Sequence, residues 1–320
     1  MTNKIIAVQG NNLNNLNPLT DTSIFLAKSG ENRGYKIFYY EPENLSIKNK
    51  KVFANGSFIK IDYSKKKFFK IVKKTRIDLS KVKFILVRQD PPFNLEYIST
   101  TYILDTIKNK VRVINNPTSI RNVSEKLYSM KFINFMPDTI FTKKVEDILY
   151  FYKKYKKIIL KPIHSYSGND IIYINNKLNK KLILKFIKKH GHIMCQKFLP
   201  KIKFGDKRVF IINGKICGSI SRVPKSGSIL SNMSKGAKPK LIKLTKKEIK
   251  ISNIIAKDLM KEDIYFAGID FIDEKLNGDI NVTSPTGLKT FFDLSNINLA
   301  DYFWKGLKAW KISPTSKKVL

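Results

Sequence analysis

Short apolar runs separated by polar turns recur along the chain, and their arrangement changes character near residue 117. Residues 4–10, KIIAVQG, predict a buried strand, followed by the polar loop NNLNNLNPLTDT. Asp21, Thr22 or Ser23 can cap a helix that runs to about Arg33, where Gly34 ends it. Residues 36–40 supply a second strand. Residues 51–62 carry Asn55-Gly56 between apolar flanks, a pattern that predicts a two-residue hairpin at that dipeptide. FILVR at 84–88 reads as another buried strand, with the turn QDPP after it. A helix over 95–108 and a strand over 111–114 follow. Strands alternating with helices predict a mainly parallel α/β domain over residues 1–120. The first turn lacks GxGxxG, so this half carries no sign of a dinucleotide site.

Beyond Asn116-Pro117 the strands come in pairs. Residues 124–132 predict a helix carrying Lys126, and KIILK at 157–161 a strand ending in a lysine. HSYSG at 164–168 makes a turn before a strand over 171–174. A lysine-rich amphipathic helix over about 178–189 precedes a strand at 193–198. RVFIINGKICGSISR, 208–222, reads as a hairpin around Asn213-Gly214. Residues 225–240 read as a mobile polar loop. Thr245-Lys-Lys-Glu248 is a capping box, with Ile251, Ile254, Ile255 and Leu259 following at helical spacing. A last helix is expected over 295–310. Helix-linked groups of hairpin-forming strands predict an α+β half, and no 20–50-residue repeat suggests a solenoid.

The stretch 265–285, YFAGIDFIDEKLNGDINVTSP, reads as two short strands joined by a polar turn. Asp270 lies on the first strand; Asp279 and Asn281 lie two apart on the second and so share a face. Three oxygen ligands could converge there on a hard cation such as Mg²⁺. A solvated hairpin with incidental acids is the competing reading. Cys195 and Cys217 lack metal-ligand spacing, and His164, His190 and His192 are too few to suggest a zinc enzyme.

Composition changes this picture little. With 42% hydrophobic residues over 320 positions, the chain can bury a core in two or three subdomains. No apolar run reaches the ~18 residues of a membrane helix, and the start shows no signal region, which favours the cytoplasm. The net charge of +36 invites a nucleic-acid reading, yet only seven of the 61 basic residues are arginine. Phosphate clamps and base readers lean on arginine forks. The dispersed lysines, set among asparagines and isoleucines, match AT-rich coding bias on permissive surface positions. No specific nucleic-acid partner and no membrane partner are expected.

RQDPPF at 88–93, NVSEKLYS at 122–129, ILKPI at 159–163, GDKRVFIINGK at 205–215 and INVTSPT at 280–286 together resemble prokaryotic glutathione synthetases, ATP-grasp ligases. The resemblance spans nearly the whole chain. It implies a Rossmann-like pre-ATP-grasp substrate domain over 1–120, then an ATP-grasp domain over 121–320. The small subdomain of the latter would cover about 121–200 and the large one about 201–320. The implied reaction joins γ-glutamylcysteine to glycine with ATP through an acyl phosphate, giving glutathione, ADP and phosphate. The family also suggests a homotetramer.

Roles follow residue by residue from the resemblance. Lys126 and Lys161 match ATP-phosphate lysines, and Ser167 and Gly168 stand in the phosphate-covering loop. Gln196, Lys197, Phe198 and Leu199 match the linker that reads adenine. Asp270, Asp279 and Asn281 match ligands of Mg²⁺ or Mn²⁺. Arg208 and Arg222 match the catalytic cations near the transferred phosphate. Arg88 matches a fork for a substrate carboxylate, and Ser284, Pro285 and Thr286 border the glycine end. Three departures stand out. The phosphate-covering loop HSYSGND keeps only Gly168. The loop at 225–240 has Leu230 near the place of an arginine. Asp279 replaces a glutamate, on a turn that reads one residue longer. These features keep two other readings open: an ATP-grasp ligase for a different acid or amine, and a degenerate ATP- or polyanion-binding protein.

Overall fold

In the computed structural model, which describes residues 4–309, the N-terminal apolar runs become the parallel centre of a sheet. The elements are β1 (Ile5–Gln9), α1 (Thr22–Asn32), β2 (Lys36–Tyr40), β3 (Leu45–Lys48), β4 (Lys51–Ile61) and β5 (Phe69–Asp78). β6 (Phe84–Val87), α2 (Leu95–Asp105), β7 (Arg112–Ile114) and α3 (Pro117–Asn122) complete the group. β2, β1, β6 and β7 run parallel, as the strand–helix alternation predicts. Asp21 is the cap of α1, its carboxylate accepting from the Ile24 N–H.

The hairpin expected at Asn55-Gly56 is absent. β4 runs straight through that dipeptide and pairs with β5 from Phe53 to Ile61. The turn lies instead at Asn49-Lys50, both at positive φ, between β3 and β4. Gly56 serves close approach: a Cβ there would lie 2.4 Å from the Tyr39 carbonyl oxygen on β2.

The second sheet is antiparallel throughout. β8 (Thr139–Thr142), α4 (Val145–Tyr155), β9 (Ile158–Pro162), β10 (Ile172–Ile174), α5 (Lys180–His190) and β11 (Ile193–Lys197) give the strand order β10-β9-β11-β8. Val145, Ile148 and Phe151 of α4 and Ile183 and Phe186 of α5 join the sheet's apolar residues in one core. The α-helix expected over 124–132 is instead a 3₁₀ segment, Leu127–Phe135, with Lys126 just before it. The backbone before it is drawn off into a sheet contact, for the Glu125 carbonyl accepts from the Ile280 N–H at 2.9 Å.

The third sheet has the order β14-β13-β12-β15-β16. Its elements are β12 (Asp206–Ile212), β13 (Lys215–Val223), β14 (Lys238–Leu241), α6 (Lys246–Lys261), β15 (Phe266–Ile272) and β16 (Lys275–Asn281). The hairpin at Asn213-Gly214 and the Thr245–Glu248 capping box form where the sequence places them. The polar loop is shorter than 225–240, because its last residues pair with β13 as the edge strand β14.

Two helices, α7 (Leu288–Ser295) and α8 (Leu299–Ala309), end the described chain. The expected helix over 295–310 therefore starts at Leu299, and Trp310 lies outside the described residues. Asn296, left-handed at φ 58°, separates the two helices. α7 begins at Gly287 without a side-chain cap, which removes the usual start signal. Ile6, Ile24 and Leu26 share one core with Phe210, Ile212, Phe303 and Trp304, so the first and third sheets are packed across α1 and α8. Among the described residues no helix is long and apolar enough to cross a membrane.

Candidate active site

Strand register assembles the charged centre. Asp206 and Arg208 are two apart on β12 and face the same way. Asp206 is paired in register with Arg222 on β13, and Arg208 with Asp270 on β15. Arg208 donates to Asp270 through Nε and, at 2.8 Å, through Nη2. Arg222 donates from Nε to Asp206 Oδ1 at 2.8 Å, and its Nη2 reaches both Asp206 and, at 3.0 Å, Asp270 Oδ2. All four side chains are buried. Burial alone would raise the Asp270 pKa, but Arg208 and Arg222 overcome it and hold the carboxyl well below the usual range.

β16 departs from regular pairing at this point. Ile269 pairs with Ile280 and Phe271 with Leu276, so Asn277, Gly278 and Asp279 together oppose Asp270. The turn before Asp279 is the two-residue Asp273-Glu274, both at positive φ, and the bulge follows it within β16. Gly278, at φ +85°, lets the bulge press against β11: a Cβ there would lie 2.6 Å from Met194 Cε. The bulge presents Asn277 and Asp279 to the second sheet. Lys161 Nζ, from β9, donates to the Asn277 carbonyl at 2.8 Å and to Asp279 Oδ2 at 3.3 Å. Lys126 Nζ donates to the Ser165 carbonyl at 2.7 Å and lies 3.5 Å from Asp279 Oδ1. Burial would raise the Asp279 pKa; Lys161 and Lys126 together pull it below the ordinary value.

These groups line one cleft, about 890 Å³ counting its open mouth, between the second and third sheets. Lys126, Lys161, Ser167, Gly168, Gln196, Lys197, Phe198, Leu199, Arg208, Arg222, Asp270, Asp279 and Asn281 all line it. Gln196 is tied down by its Nε2 donating to Thr139 Oγ1, and the Phe198 N–H is spent on the Lys157 carbonyl. Leu230, Ser231 and Asn232 face the cleft from the loop before β14.

Arg88, Ser284, Pro285 and Thr286 gather outside that lining, against the first sheet. Arg88 donates from Nε to Ser23 Oγ at 3.1 Å and from Nη2 to the Pro285 carbonyl at 2.9 Å. Ser284 Oγ donates to the Arg88 carbonyl, and Arg208 Nη1 approaches the Thr286 carbonyl at 3.5 Å, which links the two groups.

Sequence reasoning missed Asp206, Glu125, Ser231 and Asn277. Asp206 had a signal, since it stands two residues before Arg208 in a strand. Glu125 did not: its carboxylate accepts from the Val282 and Thr283 N–H groups and from Thr283 Oγ1, which pins the Lys126 segment to the end of β16.

Four buried cations thus meet three carboxylates, an arrangement with spare positive charge for a phosphate chain. The donor set suits a hard cation. Asp270 and Asp279 offer carboxylate oxygens with further lone pairs. Asn281 directs its Nδ2 at the Gly268 carbonyl and Asp270, which leaves its Oδ1 for a third ligand. Among the described residues no group of three or more His, Cys, Asp or Glu forms a metal cluster. A divalent ion held by these residues would need further oxygen ligands from outside them.

Comparison with known proteins identifies the family of the whole chain. The model of the prokaryotic glutathione synthetase N-terminal domain matches residues 5–121, and that of its ATP-grasp domain matches residues 125–296. The chain is 33% identical to the glutathione synthetase of Mesorhizobium japonicum, covering 95% of this chain and 97% of that protein. It is 35% identical to that of Buchnera aphidicola subsp. Schizaphis graminum, over 89% and 90% respectively. Among solved structures, D-cycloserine synthetase DcsG superposes with a TM-score of 0.66 at 11% identity, covering 95% of this chain and 99% of that one. D-alanyl-alanine synthetase A from Vibrio cholerae gives 0.60 at 13%, over 97% and 98%. The structural likeness establishes the ATP-grasp architecture, for which ATP and a divalent metal are the implied reactants. On the evidence of both domain models and these relatives, the chain belongs to the prokaryotic glutathione synthetase family.

Proposed function

We propose that this protein ligates γ-glutamylcysteine to glycine at the expense of ATP, forming glutathione, ADP and phosphate. The observation that carries the reading is the charge array between the second and third sheets, on a chain whose two halves both match this family. A cysteinyl carboxylate is a poor electrophile. Its oxygen attacks the γ-phosphorus, ADP departs, and the resulting acyl phosphate is open to attack by the glycine amine. Collapse of the tetrahedral adduct expels phosphate, and the amine loses a proton as the amide forms.

Each side chain has a positional task in this scheme. Lys126 and Lys161 place point charges on phosphate oxygens, and the Gln196–Leu199 linker flanks adenine. Arg208 and Arg222 stabilise charge on the transferred phosphoryl group and on the tetrahedral adduct. Asp270, Asp279 and Asn281 hold Mg²⁺ or Mn²⁺, which supplies charge neutralisation across the phosphate chain. Arg88, already anchored by Ser23 and Pro285, presents its remaining N–H to a substrate carboxylate, beside Ser284, Pro285 and Thr286 at the glycine end. We further propose that the enzyme works in the cytoplasm as a homotetramer, whose oligomeric state light scattering on the purified protein tests.

The decisive experiment is ADP release coupled to a reporter, with γ-glutamylcysteine and glycine supplied together and singly. Full turnover with both substrates is expected. ADP formation that ignores the omission of γ-glutamylcysteine or of glycine overturns the assignment.

A further inference from the structure

The loop between β13 and β14 is held down at two points, neither of which the reaction scheme uses. Ser231 Oγ donates to Asp206 Oδ2 at 2.7 Å, and both residues are buried. Asp206 is the carboxylate that grips Arg222 from the opposite strand. The neighbouring Asn232 lies over the phosphate-covering loop of the second sheet: a Cβ on Gly168 would fall 2.5 Å from Asn232 Oδ1 and 3.4 Å from Leu230 Cδ2. Gly168 is also at φ +71°, so its lack of a side chain serves both the loop's turn and the seat of Asn232. Residues 230–232 therefore touch both walls of the cleft.

We infer that Ser231 and Asp206 are a positioning pair that latches this loop over the cleft and couples its closure to the orientation of Arg222. The inference rests on the ligase reading for its kinetic part and on geometry alone for the latch. The chain of contacts is continuous: Ser231 to Asp206, Asp206 to Arg222, Arg222 to Asp270, and Asp270 to Arg208. With the loop down, Asp206 Oδ2 accepts from both Ser231 and Arg222. With the loop lifted, water reaches Asp206 in place of the serine hydroxyl, and the carboxylate that fixes Arg222 is loosened. A hydroxyl bonded to a buried carboxylate is among the stronger neutral donors' contacts, because one partner is charged.

The test uses the full-length protein and two readouts. Lys225 and Lys235 lie in the loop and are tryptic sites, so the rate of cleavage after them reports opening without reference to catalysis. Ser231→Ala is expected to be cut about tenfold faster than the parent, the scale of a lost charge-assisted hydrogen bond. Ser231→Thr, which keeps the hydroxyl, is expected to restore protection. Gly168→Ala displaces Asn232 and should also speed cleavage. In steady state Ser231→Ala should lower kcat with γ-glutamylcysteine and glycine while the KM for ATP changes less, because Arg222 acts after nucleotide binding. Equal cleavage of Ser231→Ala and the parent overturns the latch. Faster cleavage with unchanged kcat overturns the coupling to Arg222. A parent protein with no ligase activity would refute the assigned reaction and leave the cleavage comparison intact.

Discussion

At the scale of single residues, Asp270 and Asp279 stand in different surroundings. Asp270 is enclosed by Arg208 and Arg222, so replacing it strips two buried cations of their counter-charge as well as removing a proposed metal ligand. Asp279 is partly accessible, with its side chain 22% exposed, and its ion-pair partners are Lys126 and Lys161. Asp279→Asn is therefore the cleaner probe of metal binding. It should weaken Mn²⁺ binding in the presence of an ATP analogue by at least about tenfold, the lower end of what losing one carboxylate interaction costs. Titration followed by electron paramagnetic resonance measures this, and an unchanged affinity removes Asp279 from the ligand set. The same residue sets an acid limit. Its folded pKa is depressed, so its stabilising contribution is present above the unfolded value of about 4 and is lost as pH falls through the folded value. Thermal melts between pH 5 and 2.5, conditions chosen as roughly bracketing that window, should show a shallower loss of stability for Asp279→Asn than for the parent.

At the scale of elements, Gly56 makes the sharpest prediction. The β2–β4 contact leaves no room for a side chain, with Tyr39 O, Phe38 Cζ and Tyr40 Cβ all within 3 Å of a Cβ position. Gly56→Val should cost roughly 2–3 kcal/mol by overpacking, read as a lower urea midpoint with an unchanged slope. Had Asn55-Gly56 been a solvent-exposed turn, the change would cost far less. This position also shows what a linear reading can and cannot extract. The parallel strands, the Asn213-Gly214 turn and the β15–β16 pair were legible because their periodicity is local. Asn55-Gly56 carries the same local signal as Asn213-Gly214, and only the neighbour across β2 distinguishes a turn from a close crossing. The bulge at Asn277–Asp279 was likewise not legible, since an irregular ladder leaves no mark in period-two alternation. For the site, motif residues such as Lys161 and Asp270 were visible through family resemblance. Ser231 and Glu125 were not, because their value depends on partners 25 and 157 positions away.

At the scale of the whole molecule, the first and third sheets share one apolar core. What unites the molecule is the join between the first and third sheets. Trp304 of α8 donates from Nε1 to the Leu26 carbonyl of α1 at 3.0 Å, and Arg33 meets Asp301 at 2.6 Å. The centre of the join is Asn115, just past β7 and 3% exposed. Its Nδ2 donates to the Phe266 and Val282 carbonyls at 2.7 and 2.6 Å, and its Oδ1 accepts from the Tyr265 and Phe266 N–H groups. Those residues stand at the start of β15 and just past the end of β16, the strands that carry Asp270, Asp279 and Asn281. One amide thus holds the open end of the β15–β16 pair against the N-terminal sheet. Asn115→Ala removes all four hydrogen bonds and should cost about 3 kcal/mol or more. Asn115→Asp keeps the shape and the acceptor but sets a carboxylate against two carbonyl oxygens, so it should destabilise by a similar amount. If the amide only filled space, the aspartate variant would unfold at the parent's urea midpoint. If it is the brace, both variants should unfold early and bind an ATP analogue more weakly, since the strand pair loses the anchor at its open end.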